Sequence, residues 1–286
     1  MSADLLPILL CLISAITVAI VNVLVKRGGD VLTARMLVSV TSALILLPLA
    51  PFFPFPPPET WPLIGICAAS HWFYQFCLIR AMHRGDLSLV YPVMRGLGPL
   101  ATAIFATFML QEHLAPIQSV GLFCASFAIL FFALPTASTA EGRSLDRRAL
   151  FWAAMTAVGV GLYAVNDTRA ARAMPSTMSF VIALFLIDWF GVTMVFLWQR
   201  RGKYLETIRP QLRGGILGGI AGTISYGLAI FAYTLTDAAH VTALRETSVV
   251  FAAAMGAWLL KESFGARRTF AAGVLAGGLV LMQAGA

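Results

Sequence analysis

Arg35, Arg95 and Arg245 stand inside long apolar runs, where an ionised side chain needs a reason to be. Arg95 lies in "YPVMRGLGPLATA", Tyr91 to Ala103, and Arg245 in "ALRETSVVFAAA". A guanidinium near the centre of a membrane helix costs about 3 kcal/mol on insertion scales, so each of these two must face a cavity or a partner. Its fork of donors matches a carboxylate or phosphate on a solute. It matches equally an internal acid such as Glu246 or Asp188, or carbonyls freed by a disturbed helix. A gate that breaks such a pair would satisfy both readings. Pro92, Gly96, Gly98 and Pro99 surround Arg95. Proline removes an intrahelical bond and glycine weakens the turn, so this segment is expected to be kinked or locally unwound.

A second group of polar side chains recurs at similar depth. "SHWFYQF" offers His71, Trp72, Tyr74 and Gln75, with Tyr91 beginning the Arg95 motif. "GLYAVNDTRAAR" adds Tyr163, Asn166 and Asp167, and "GTISYGL" adds Ser225 and Tyr226. Aromatic faces carrying hydroxyl and amide handles suit an amphipathic or zwitterionic solute. Packing and capping are the competing explanations. His71 could accept a coupling proton, since an unperturbed imidazole titrates near ~6.5, and Asp188 in "FLIDWFG" is the other candidate. Glu246, Asp188 and Asp167 are the acids expected to couple or gate. Glu112 and Glu262 are expected to favour the starts of the helices they precede.

Catalytic patterns do not appear. There is no HExxH, no close acidic pair, no Walker motif and no CxxC, and no cofactor or metal is implied. Cys11, Cys67, Cys77 and Cys124 read as small packing residues.

These residues need helices to hold them at depth. The chain has 286 residues, 59% hydrophobic and 12% charged, with a mean hydropathy of +0.84, which places it among membrane proteins. Apolar windows near the ~20 residues that span hydrocarbon recur throughout. We read ten spans, at 5–25, 31–51, 60–82, 87–110, 116–134, 149–166, 177–198, 214–234, 238–260 and 268–284. Their length and weak alternation exclude a barrel of ~10-residue strands. The class is all-α integral membrane. No basic region precedes the first apolar run, so that span is expected to be retained.

The +7 formal charge is spread between spans and forms no basic domain, so nucleic acid is not a partner. Lys26, Arg27, Arg80, Arg84, Arg143, Arg147, Arg148, Arg200, Arg201, Lys203, Arg209, Arg213, Lys261, Arg267 and Arg268 all fall in alternate loops, against Arg169 and Arg172 on the opposite side. The positive-inside rule makes the first set cytoplasmic and puts both termini outside.

Shifting the chain by 150 residues lays Arg95 on Arg245, Ala103 on Ala253, Leu110 on Leu260 and Glu112 on Glu262. Each half holds five spans, an odd number, so the second enters the membrane inverted. Inverted repeats of this kind build secondary transporters. The halves are read as 1–134 and 149–286, joined by a small, polar linker at 135–148. Gly214, Gly215, Gly218, Gly219 and Gly222, and again Gly273 and Gly277, form small-residue stripes for internal packing or for a dimer seam.

With "YPVMRGLGPL" and "LQEHL" closing one half, and "ALRETSVVFAAA" and "LLKESFGARR" closing the other, the chain resembles the EamA-type members of the drug/metabolite transporter (DMT) superfamily over essentially its whole length. That resemblance implies a central cavity lined by spans 1, 3, 4, 6, 8 and 9. It implies transport of a small organic solute by a protein that is not an enzyme. The expected activity is export or exchange of an amino acid or related carboxylate-bearing metabolite across the cytoplasmic (inner) membrane, by alternating access. Export of cationic or aromatic amphiphiles is one alternative, and an enzyme acting on a lipid-linked substrate is another. The lipid bilayer and the solute are the partners expected, with the chain working as a monomer and a homodimer as the alternative.

Overall fold

A computed structural model describes residues 5–84, 87–132, 146–251 and 265–283, and these are helices joined by turns and short 3-10 segments. The helices are α1 (Leu5–Gly28), α2 (Val31–Leu46), α3 (Trp61–Arg84), α4 (Leu87–Met109), α5 (Pro116–Phe132), α6 (Arg147–Ala173), α7 (Thr177–Gln199), α8 (Leu212–Tyr233), α9 (Ala238–Arg245) and α10 (Gly265–Gln283), with one short helix, Tyr204–Ile208, before α8. Among the described residues six helical segments are long and apolar enough to cross a membrane, and Val93–Met109, Pro116–Phe131 and Phe270–Gln283 are shorter apolar stretches. Large apolar side chains such as Ile13, Phe108, Phe123, Phe127, Trp198 and Phe270 stand exposed, as lipid-facing residues must.

Local chemistry sets the ends. Gly29 takes a φ of +82°, a conformation that lets the chain leave α1 without a Cβ penalty. Asp30 then caps α2, accepting from the Leu32 N–H (3.2 Å) and the Thr33 hydroxyl (2.6 Å). Arg200, just past α7, donates from Nε and Nη2 to the two Asp30 oxygens at 2.9 and 3.0 Å. Burial pushes the Asp30 carboxyl up, but the hydrogen bonds and charge of Arg200, with those of Thr33, outweigh it and hold it below its ordinary value of 3.8.

The chain forms two compact units, each drawing on both halves of the sequence: 1–72 with 166–236, and 73–165 with 237–286. In the first, α8 packs on α1 and α2. A Cβ at Gly215 would run into the Leu37 Cβ, and one at Gly219 into the Thr41 Cβ, so these glycines serve close helix contact within the unit. Among the described residues Gly273 and Gly277 do not repeat this; a Cβ at either meets none of them within 4 Å.

In the second unit, α5 crosses α10 with backbones nearly touching: a Cβ at Gly121 would lie 2.5 Å from the Gly278 oxygen, and one at Gly278 2.7 Å from the Gly121 oxygen. Leu78, Ala81, Val90, Met94, Ala149 and Ala153 form a core cluster.

The expected disturbance of α4 does not occur, for α4 runs unbroken from Leu87 to Met109. Its glycines provide room. A Cβ at Gly96 would meet Leu130 at 2.8 Å, and one at Gly98 would meet Val160 at 3.3 Å. Pro92, in the second turn of the helix, removes one ladder bond without ending it. The break falls instead in the helix that follows α8, which contains neither glycine nor proline at that point. After Arg245 the helix gives way to a turn at Glu246 and Thr247 and resumes at Ser248.

Two further expectations change. Asn166 and Asp167 do not sit at a helix end, because α6 continues to Ala173. Glu112 precedes α5 in a non-helical stretch, and its Oε2 accepts from the Ala238 N–H at 2.8 Å. It therefore caps α9 instead of the helix it precedes. Glu262, and the linker from 135 to 145, lie outside the described residues.

Candidate functional site

Arg95 projects from α4 to the interruption after α9. Its Nη1 donates to Glu246 Oε1 at 3.1 Å, and its Nη2 donates to the Ser248 hydroxyl at 2.6 Å. Glu246 is 1% exposed, while the Arg95 side chain keeps 16%. At the turn, the Glu246 and Thr247 N–H groups reach back three residues, to Ala243 (3.0 Å) and Leu244 (3.2 Å), tightening the helix. The Thr247 hydroxyl donates to the Leu244 carbonyl at 2.7 Å. Glu246 Oε2 is buried with no hydrogen-bond partner among the described residues. The arrangement is a cation and an acid meeting at a discontinuity, where irregular backbone at membrane depth is tolerable against protein. Arg245, the repeat counterpart of Arg95, is half-buried on the same segment.

The other unit holds a cluster built from α3, α6 and α8. Asp167 is fully buried. Its Oδ2 accepts from the Tyr226 hydroxyl at 2.5 Å and lies 2.8 Å from His71 Nε2, which is itself 3.2 Å from the Tyr226 oxygen. Asp167 Oδ1 is buried with no hydrogen-bond partner among the described residues. Beside it, the Asn166 amide donates to the Ser70 hydroxyl at 2.9 Å. Phe185 packs edge-on against Tyr226 at 5.2 Å between ring centroids.

The remaining nominated residues separate. Trp72 lies across Gly191, where a Cβ would approach its ring at 2.5 Å, and its indole N–H donates to the Asp188 carbonyl at 3.0 Å. Asp188 is buried on α7. Ser225 faces α1: its hydroxyl donates to the Ser14 carbonyl at 2.8 Å, and Ser14 returns a bond of 2.7 Å to the Ser225 carbonyl. At 2% exposure it holds two helices together and has no hydroxyl to offer a solute. In the second unit, Tyr74 and Tyr163 meet edge to face at 5.2 Å, with the Tyr74 backbone resting where a Cβ on Gly159 would stand 2.9 Å away. Gln75 is buried. Tyr91 lies on α4, its side chain outside the described part of the structure.

Ser248 and Ser70 were not anticipated. Nothing in the sequence separates them from other helix serines; only the approach of Arg95 and Asn166 gives them a role. Among the described residues no group of His, Cys, Asp and Glu is placed to hold a metal ion.

The model of the EamA-like transporter family matches residues 2–134 and again 147–283. No curated protein matches the sequence. A solved crystal structure shares the fold with a TM-score of 0.76 at 15% identity, over 96% of this chain and 95% of that one. A family model that fits the chain twice, on helices carrying buried ion pairs and lipid-facing apolar surfaces, leaves one assignment: this chain belongs to the EamA-like transporter family of the DMT superfamily, multi-pass membrane proteins that transport small solutes.

Proposed function

We propose that the protein is a secondary carrier that exports or exchanges a small carboxylate-bearing metabolite of the amino-acid class, by alternating access built on two inverted five-span repeats at 1–134 and 149–286. The observation that carries this reading is the Arg95–Glu246 pair at the interrupted helix. An amino acid brings a carboxylate for the Arg95 fork and an ammonium for Glu246, whose Oε2 has no hydrogen-bond partner among the described residues. Binding would replace one internal ion pair with two to the solute, so the pair opens only when a solute of the right charges arrives. Arg245, adjacent to Glu246, is the second cation in reach of the same acid's surroundings. Discontinuous helices supply midplane ligands in this way in inverted-repeat carriers.

The Tyr74–Tyr163 pair favours a second reading, export of cationic or aromatic amphiphiles, since such rings attract apolar and cationic surfaces. Thermal stabilisation of the purified protein by amino acids, other organic acids and cationic amphiphiles, followed by counterflow in proteoliposomes, decides between them. The first reading expects hits among zwitterions that Arg95→Ala abolishes in a folded variant. Hits confined to amphiphiles and indifferent to Arg95 would replace it with the second. We propose the cytoplasmic membrane as its location, with both termini outside; the charge of its loops supports that orientation. Labelling of single cysteines in the loops before α3 and before α8 tests this; a loop before α3 reached only from the cytoplasm would reverse the topology.

A further inference from the structure

The cluster of His71, Asp167 and Tyr226 is not needed to bind a carboxylate, yet it is built around an aspartate with no exposure. Two donors converge on one oxygen of a carboxylate that has no exposure. The facing groups are Cys67 and His71 on α3, Asp167 on α6, Tyr226 and Tyr233 on α8, Asp188 on α7 and Arg35 on α2. Arg35 and Asp188 bring opposite charges, so the state of the cluster depends on how many protons His71 and Asp167 share. One proton makes that pair neutral, whether written as imidazolium with carboxylate or as imidazole with carboxylic acid. None leaves it negative and two leave it positive, and a net charge buried at this depth is costly. His71 keeps 12% of its side chain exposed while Asp167 keeps none, which makes the imidazole the point of entry.

We infer that His71, Asp167 and Tyr226 form the proton-binding site that couples this carrier to a transmembrane proton gradient, an inference that rests on its being a secondary transporter. Loading forms one N–H or O–H bond within the His71–Asp167 pair, with the proton taken from water on one side of the membrane. Discharge breaks that bond and returns the proton to water on the other side, one per cycle. Asp167 Oδ1, buried and outside the contacts made by His71 and Tyr226, is the oxygen on which the carboxylate can take a proton while Oδ2 keeps its two partners, with the Cys67 thiol beside the group. The Tyr226 hydroxyl holds Oδ2 in place through the change and is a positioning group.

Two measurements test this. The first needs no solute: infrared difference spectra of the protein in lipid between mildly acidic and alkaline buffer should show a protonation change in the buried pair, as a carboxyl band of Asp167 or as an imidazolium band of His71 with a shifted carboxylate, that Asp167→Asn removes and Tyr226→Phe shifts. The second uses an amino acid that gives counterflow, with the membrane potential clamped by potassium and valinomycin. A one-unit pH gradient should then drive up to about tenfold accumulation in the wild type at one proton per solute. Asp167→Asn and His71→Gln should lose that accumulation while their counterflow falls far less. Absence of any protonation change in the bands of His71 and Asp167, a wild type that ignores the gradient, or an Asp167→Asn protein that still accumulates would each overturn the proposal. If no amino acid is carried, the solute class fails, while the spectra still decide on the proton site.

Discussion

Truncating Arg95 strands an acid that has nowhere to turn. Glu246 is 1% exposed and accepts from Arg95 at 3.1 Å, while Ser248, fully buried, accepts from the same guanidinium at 2.6 Å. Removing one partner of a buried ion pair typically costs about 3–5 kcal/mol, because the remaining charge is left without compensation. Deleting an ordinary interhelical hydrogen bond in a membrane costs nearer ~0.6 kcal/mol. The two scales are far enough apart to separate. Arg95→Ala should therefore lower the midpoint of thermal or detergent denaturation well beyond what Ser248→Ala does. Glu246→Ala should cost less than Arg95→Ala, since the cation it strands keeps 16% exposure and retains Ser248. The double variant should be less damaged than the sum of the single changes, with a coupling of about 2 kcal/mol. Additive losses of a few tenths of a kcal/mol would show that the pair is not buried together, and the account of the break after α9 would fail with it.

Substituting Gly121→Ala should be among the most damaging single methyl additions, costing about 1–3 kcal/mol, because the new Cβ meets the Gly278 backbone oxygen at 2.5 Å; Gly277→Ala, whose Cβ meets none of the described residues within 4 Å, should be nearly neutral in the same melting assay. The Asp30–Arg200 pair, 22% and 27% exposed, should contribute no more than about 1 kcal/mol. Because the Asp30 carboxyl is held below 3.8, that contribution is present above this value and is lost as pH falls through the lower folded value, so the difference in melting between wild type and Arg200→Ala should close in acid. Glu112→Ala removes the cap on the Ala238 N–H and should cost about 0.5–2 kcal/mol, a loss that Glu112→Gln partly avoids in a thermal melt.

How much of this was legible depends on the range of the physics involved. Hydropathy is a sum over neighbours in sequence, so the start of α4 at residue 87, of α5 at residue 116 and of α7 at residue 177 agree with the predicted spans. Apolar length cannot see where a helix stops once polar residues find partners, and so α6 runs on through Asn166 and Asp167, which Ser70 and the His71–Tyr226 pair satisfy. Glycine and proline also misled. Around Arg95 they signalled a break, but the space left by Gly96 and Gly98 is taken up by Leu130 and Val160 and the helix stays whole.

The sequence by itself determined that the chain is a helical membrane protein with a repeated pattern and with arginines at depth that must be answered, because composition, periodicity and the cost of a charge in lipid are local quantities. Only the tertiary structure decided who answers them. Arg95 meets Glu246, 151 residues away, and Asp167 meets His71 and Tyr226 from separate helices. Ser225, nominated beside them, turns instead to Ser14. Which polar group finds which partner is set by helix rotation and by packing at close-fitting glycines, and a difference of one residue around a helix turns a side chain by about 100°, from a buried site to a seam.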